Sequence, residues 1–167
     1  MIQRIQTVYL ALVIILSLSG LFTAMGVWTA AGDTIASFSN FTFDTLGAFE
    51  GYDRSGPWCL GILLILVIFL NGVSIMLFRK RMRQLRLTIL STILLVGYVA
   101  TYALFAYYYH LGLVDFFETS KLASNLAPVF HLKFLAVFPA ISIILNCLAI
   151  AGIRKDEALV RSLDRIR

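Results

Sequence analysis

Four stretches of this chain carry no Asp, Glu, Lys or Arg: Ile5 to Gly32, Ser55 to Phe78, Leu87 to Val114 and Phe134 to Ile153. A bilayer core of roughly 30 Å is crossed by about 20 apolar residues as helix, at about 1.5 Å of rise each. Every stretch meets that length, and together they leave little chain for a soluble domain. The expected fold is all-α: a four-transmembrane-helix bundle forming a single membrane domain over residues 1–167. Its helices are expected at about 7–31, 57–80, 84–110 and 129–154, with a cytoplasmic tail at 155–167.

Composition agrees. The chain is 60% hydrophobic and 14% charged, with mean hydropathy +0.89, against about 25% charged residues in an ordinary soluble domain. The net charge of +5 does not point to nucleic acid, because the basic residues are placed by topology. Arg4 precedes the first stretch, and Arg79, Lys80, Arg81, Arg83 and Arg86 fill the connection between the second and third. Arg154, Lys155, Arg161, Arg165 and Arg167 follow the fourth, so all but Arg54, Lys121 and Lys133 fall on one side. The positive-inside rule then sets both termini and a basic 79–86 loop in the cytoplasm, beside anionic headgroups. Arg4 and the apolar run Val8 to Phe22 mimic a signal peptide; the segment reads instead as a signal-anchor span.

Connections carry their own signals. The 79–86 link is short enough to make spans two and three an antiparallel hairpin. Trp28, Trp58 and the run Tyr107, Tyr108, Tyr109 mark the outer interface, where rings with a polar tip are favoured. In the first outer loop, about 32–56, Ile35, Phe38, Phe41 and Phe43 alternate partly with Ser39, Asn40 and Thr42. That pattern reads as a short β-hairpin. It either caps the outer helix ends or offers Phe38, Phe41 and Phe43 to a partner. Asn40-Phe41-Thr42 also matches a glycosylation acceptor, a short motif without meaning in a bacterial chain. A second outer loop, about 111–128, is shorter and acidic. In the tail, Leu159, Leu163 and Ile166 share a helical face with Val160, a candidate docking stripe.

No catalytic constellation is visible, and no catalytic residue, cofactor or metal is expected. All nine acids lie outside the charge-free stretches. Coupled transporters usually keep an ionisable group at membrane depth. His110 and His131 read as interfacial histidines rather than as a metal pair. Cys59 and Cys147 lie on the order of 20 Å apart in helical depth, too far for a disulfide. The polar groups within spans are mild. Asn71 and Asn146 each lie about 12 Å inside the basic boundary, on helices running the same way, so the two amides can meet as interhelical glue. Tyr98, Tyr102, Phe105 and Tyr109 form a packing stripe at i, i+4, i+7 and i+11. Gly20, Gly61 and Gly72 permit close helix approach, and Pro139 is placed to kink span four.

The opening Met1-Ile2-Gln3-Arg4-Ile5-Gln6-Thr7-Val8-Tyr9-Leu10 resembles the start of a family of uncharacterised four-span membrane proteins from Bacteroidota. The resemblance covers those ten residues and the four-span layout. It implies a bacterial inner membrane, and it supplies no activity and no functional residues. The functional expectation is a non-catalytic accessory or assembly subunit of a larger membrane complex. Its partners would be the lipid bilayer and other membrane-protein subunits, not nucleic acid, with homo-oligomers open. The alternative is a small transporter or oligomeric channel.

Overall fold

In the computed structural model of the chain, α1 (Ile2–Leu21) leads into two strands, β1 (Gly26–Ala30) and β2 (Asp33–Phe38), and a third, β3 (Phe43–Thr45). Then follow α2 (Trp58–Met76), α3 (Arg81–Thr119), β4 (Val129–Leu132), a 3-10 turn at Phe134–Val137 and α4 (Phe138–Asp164). The structure describes residues 2–30, 32–46, 55–78, 80–119 and 128–164, without the side chains of 2–4, 117–119 and 159–164.

The four helices pack in the cyclic order α1–α2–α3–α4, each against its two neighbours. Each turns one stripe inward, with buried positions recurring three and four residues apart as helical geometry requires. On α1 these are Gln6, Leu10, Val13 and Ser17; on α4 they are Phe138, Ser142, Asn146, Ala149, Ile153 and Asp156. The outward faces are apolar: Ile62, Ile65, Phe69, Ile93, Val96 and Ile144 are all exposed. Three helices, Trp58–Met76, Arg81–Phe116 and Phe134–Ala158, are long and apolar enough to cross a membrane, while the apolar run of α1, Ile5–Leu21, is shorter. Polar groups turned to the interior and hydrocarbon turned outward, on helices of this length, mark a membrane protein.

Two expectations about elements are corrected. The first span does not run to residue 31: α1 stops at Leu21, and Gly26–Ala30 is a strand. The β structure is also not confined to the first loop, because Val129–Leu132, read as the start of span four, is β4. The sheet has the order β3-β2-β1-β4, so β1 is central, pairing antiparallel with β2 (Trp28 opposite Ala36) and with β4 (Trp28 opposite Phe130). The turn between β1 and β2 passes through Gly32 at φ 93, a conformation that favours glycine. Hydropathy alone could not separate this strand from helix, since Val27, Trp28 and the small residues beside them suit either state.

One face of the sheet lies on the bundle. Trp28, Phe38 and Phe43 are buried together with Leu21, Met25, Leu60, Leu64, Tyr98, Tyr109, Leu113 and Phe138. Phe43 stacks on Tyr109 with ring centroids 4.2 Å apart, Phe38 meets Tyr102 at 5.1 Å, and Trp28 meets Phe130 at 4.7 Å. Offset and edge contacts of this kind add about 0.5–1.5 kcal/mol each beyond burial. The Tyr98–Tyr109 stripe of α3 is therefore the floor on which the sheet packs. Trp28 is a core residue, not an interfacial anchor; Trp58, Tyr107 and Tyr108 are exposed.

At the opposite, basic end the link between α2 and α3 is a tight turn closed by Lys80 N–H to Leu77 C=O at 2.8 Å. Arg81, Arg83 and Arg86 sit on the first turns of α3 and not in a loop; Arg79 lies outside the described residues. Pro139 falls in the first turn of α4, where its missing N–H costs no helical bond, so it starts the helix and does not kink it.

Candidate functional site: a polar seam along the bundle axis

Polar side chains recur down the bundle interior in tiers. Nearest the basic end, Gln6 Nε2 donates to Asp156 Oδ2 at 2.8 Å, joining α1 to α4. Arg81 Nη1 donates to the main-chain oxygen of Asp156 at 3.0 Å, adding α3. Gln6 and Asp156 are both buried, and Gly152 eases the approach of Gln6, whose side chain comes within 3.1 Å of where a Cβ would sit. A buried carboxylate needs such partners, because burial without them carries the full desolvation penalty.

The next tier joins α2 to α3. Ser74 Oγ lies 3.0 Å from Thr88 Oγ1, and Thr88 Oγ1 also donates to its own helix at the carbonyl of Gln84, 3.0 Å away. One turn further, Asn71 Nδ2 donates to Val67 C=O at 2.9 Å and to Ser91 Oγ at 2.7 Å. Asn146 Nδ2 donates to the same Ser91 Oγ at 3.3 Å. Asn71 and Asn146 thus converge on one hydroxyl, which sits between them and joins the two amides. All three residues are fully buried. In lipid such interhelical bonds contribute about 0.6–2 kcal/mol each.

Beyond the small apolar cluster of Val13, Val67 and Leu95, beside which Ser17 and Ser142 are buried, the seam closes at the sheet end on Asn40. Asn40 Nδ2 donates to the Gly20 and Leu21 carbonyls at 2.7 and 3.3 Å, carbonyls that the end of α1 leaves without helical partners. Tyr98 Oη donates to Asn40 Oδ1 at 2.7 Å and lies 3.0 Å from Met25 Sδ. One loop side chain therefore caps α1, holds α3 and anchors the sheet. Being fully buried with its amide engaged, Asn40 has no free nitrogen to carry a glycan, which removes the acceptor reading of Asn40-Phe41-Thr42.

The other sequence candidates fall as follows. Phe38 and Phe43 are buried between the sheet and the bundle. Phe41 is half-buried against α2, its ring where a Cβ on Gly61 would stand and 6.2 Å from the Trp58 ring. Gly20 admits the Phe138 ring, and Gly72 faces open space. Leu159 and Leu163 lie on the helical backbone of α4, without described side chains, and Ile166 lies outside the described residues. Cys59 and Cys147 are free and exposed. Among the described residues no three His, Cys, Asp or Glu gather as metal ligands. What sequence reasoning missed is Asn40 and the Gln84–Thr88–Ser91 series on α3. The second had a signal, polar residues four and three apart; the first had none beyond a polar residue among phenylalanines.

A helical bundle with apolar, membrane-length helices, a hydrogen-bonded polar interior and a small sheet over one end defines a compact membrane protein held together from within. The chain belongs to the DUF4293 family, a domain of unknown function, which matches residues 2–166. Comparison with curated proteins finds no match.

Proposed function

We propose that the protein is a four-span component of the bacterial inner membrane, as the resemblance to a Bacteroidota family implies. Its termini and basic end are cytoplasmic and its sheet is outside, and it works as a non-catalytic accessory or assembly subunit. The observation that carries this reading is the overhang of α3. The contacts of Asn71 with Ser91 and of Ser74 with Thr88 set a register in which α2 begins level with Leu104. From there α3 continues to Thr119, about 22 Å further. The sheet covers one side of that overhang; on the other, Leu104, Tyr107, Tyr108 and Leu111 are exposed at helical spacing. Such an i, i+3, i+4, i+7 face is the form in which helices recognise partners.

The interior supports the same reading. Gln6, Asn71, Ser74, Asn146 and Asp156 join the protein's own helices, and Asn40, Tyr98, Leu21 and Met25 fill the sheet end, where a pathway through one copy would need to open. The test is purification of the tagged protein in mild detergent, followed by mass spectrometry. A stoichiometric membrane-protein partner is expected, with Leu111→Asp lowering its recovery several-fold while leaving the melting temperature unchanged. A clean monomer or homo-oligomer that exchanges a solute in liposomes would refute the proposal in favour of a transporter or channel.

A further inference from the structure

We infer that the middle of the bundle holds a small internal water cluster, bound by Asn71, Asn146, Ser17 and Ser142 around the Ser91 hydroxyl. Four fully buried polar atoms there have no hydrogen-bond partner: Asn71 Oδ1, Asn146 Oδ1, Ser17 Oγ and Ser142 Oγ. They belong to two adjacent tiers. Gly20 against Phe138 and Gln6 against Gly152 set an antiparallel register that puts Ser17 level with Ser142. Ser142 is one turn from Asn146, and Asn146 shares Ser91 with Asn71.

The chemistry selects the ligand. Asn71 cannot exchange its amide ends, because the atom facing the Val67 carbonyl must be the N–H donor. Its oxygen is therefore an unpaired acceptor. Rotating the Asn146 amide would let Ser91 donate to it, leaving the amide nitrogen unpaired instead of the oxygen, so one end of Asn146 needs a partner either way. The two serines each offer a donor and an acceptor. A ligand that donates, accepts and is small meets all four, and water does so with about three bonds per molecule. Ser17 and Ser142 are each smaller than Val67 of α2 and Leu95 of α3, which stand at the same level and are buried with them. Left dry, these groups would forfeit their solvation with nothing in return.

This inference rests on the membrane reading only in placing lipid, not solvent, around the seam. The experiment is solid-state NMR of the protein in lipid bilayers, following magnetisation transfer from water and from lipid. Water transfer to the Asn71 and Asn146 side-chain amides is expected, alongside lipid transfer to Ile93. Ser17→Ala and Ser142→Ala should leave the melting temperature unchanged or lower it. Absence of water transfer to both amides, or a raised melting temperature in both alanine variants, overturns the inference. So does a shift of those amide signals with sodium concentration, which would assign the site to an ion. Failure of lipid transfer to Ile93 strikes the membrane reading and leaves the water result to stand by itself.

Discussion

Replacing Asn40 by Ala is expected to be the most damaging single polar truncation in the sheet end. The side chain makes three bonds: two to the α1 carbonyls of Gly20 and Leu21, at 2.7 and 3.3 Å, and one from Tyr98 Oη at 2.7 Å. Alanine fills none of these positions, and a buried group left unpaired costs about 1–3 kcal/mol. The 3.3 Å bond is long, and Tyr98 keeps Met25 Sδ at 3.0 Å, so the three losses are not equal. The sum is about 3–5 kcal/mol, a large fraction of the roughly 5–15 kcal/mol that a folded domain commands. Tyr98→Phe removes one of the three bonds and should cost about 1–2 kcal/mol. In the double variant that bond cannot be lost twice, so a coupling energy of about 1–2 kcal/mol is expected. Equilibrium unfolding in mixed micelles, followed by the fluorescence of buried Trp28, measures all three variants. A cost below about 1 kcal/mol for Asn40→Ala, or effects that add within about 0.5 kcal/mol, would refute the assignment of Asn40 as the lock between sheet and bundle.

Glycine packing and charge placement set three further outcomes. Gly20→Ala should lower stability by about 1–3 kcal/mol, because its methyl meets the Phe138 ring. Gly72→Ala, which faces open space, should raise stability by up to about 1 kcal/mol through helix propensity; reversed signs in thermal melts would contradict the helix register described here. Single cysteines at Ser39 and Ser162, in an otherwise cysteine-free chain, should label from opposite sides of the membrane with an impermeant reagent, and labelling from one side would overturn the proposed topology.

Much of the architecture was legible in the sequence because it depends on sums along the chain. Runs without charge mark helices that suit lipid, and the crowding of Arg and Lys at one end orders their ends. The α3 stripe from Tyr98 to Tyr109 was readable as packing because helical spacing is local. Equal depth on parallel helices pointed to Asn71 and Asn146 meeting each other, whereas each donates to Ser91, a partner that depth alone does not name. What only the tertiary structure decided is where a charge-free run stops being helix. Gly26–Ala30 and Val129–Leu132 belong to stretches that read as span, yet they pair with each other across about a hundred residues of intervening chain. Strand pairing is a contact between distant segments, invisible to any window on one of them. Asn40 shows the same limit: its local sequence names a glycan acceptor or a loop residue, and only the arrival of the α1 carbonyls and the Tyr98 hydroxyl around it makes it a cap. Apolar content and helical period are properties of a segment, whereas a strand's partner and a buried amide's partner are properties of the fold.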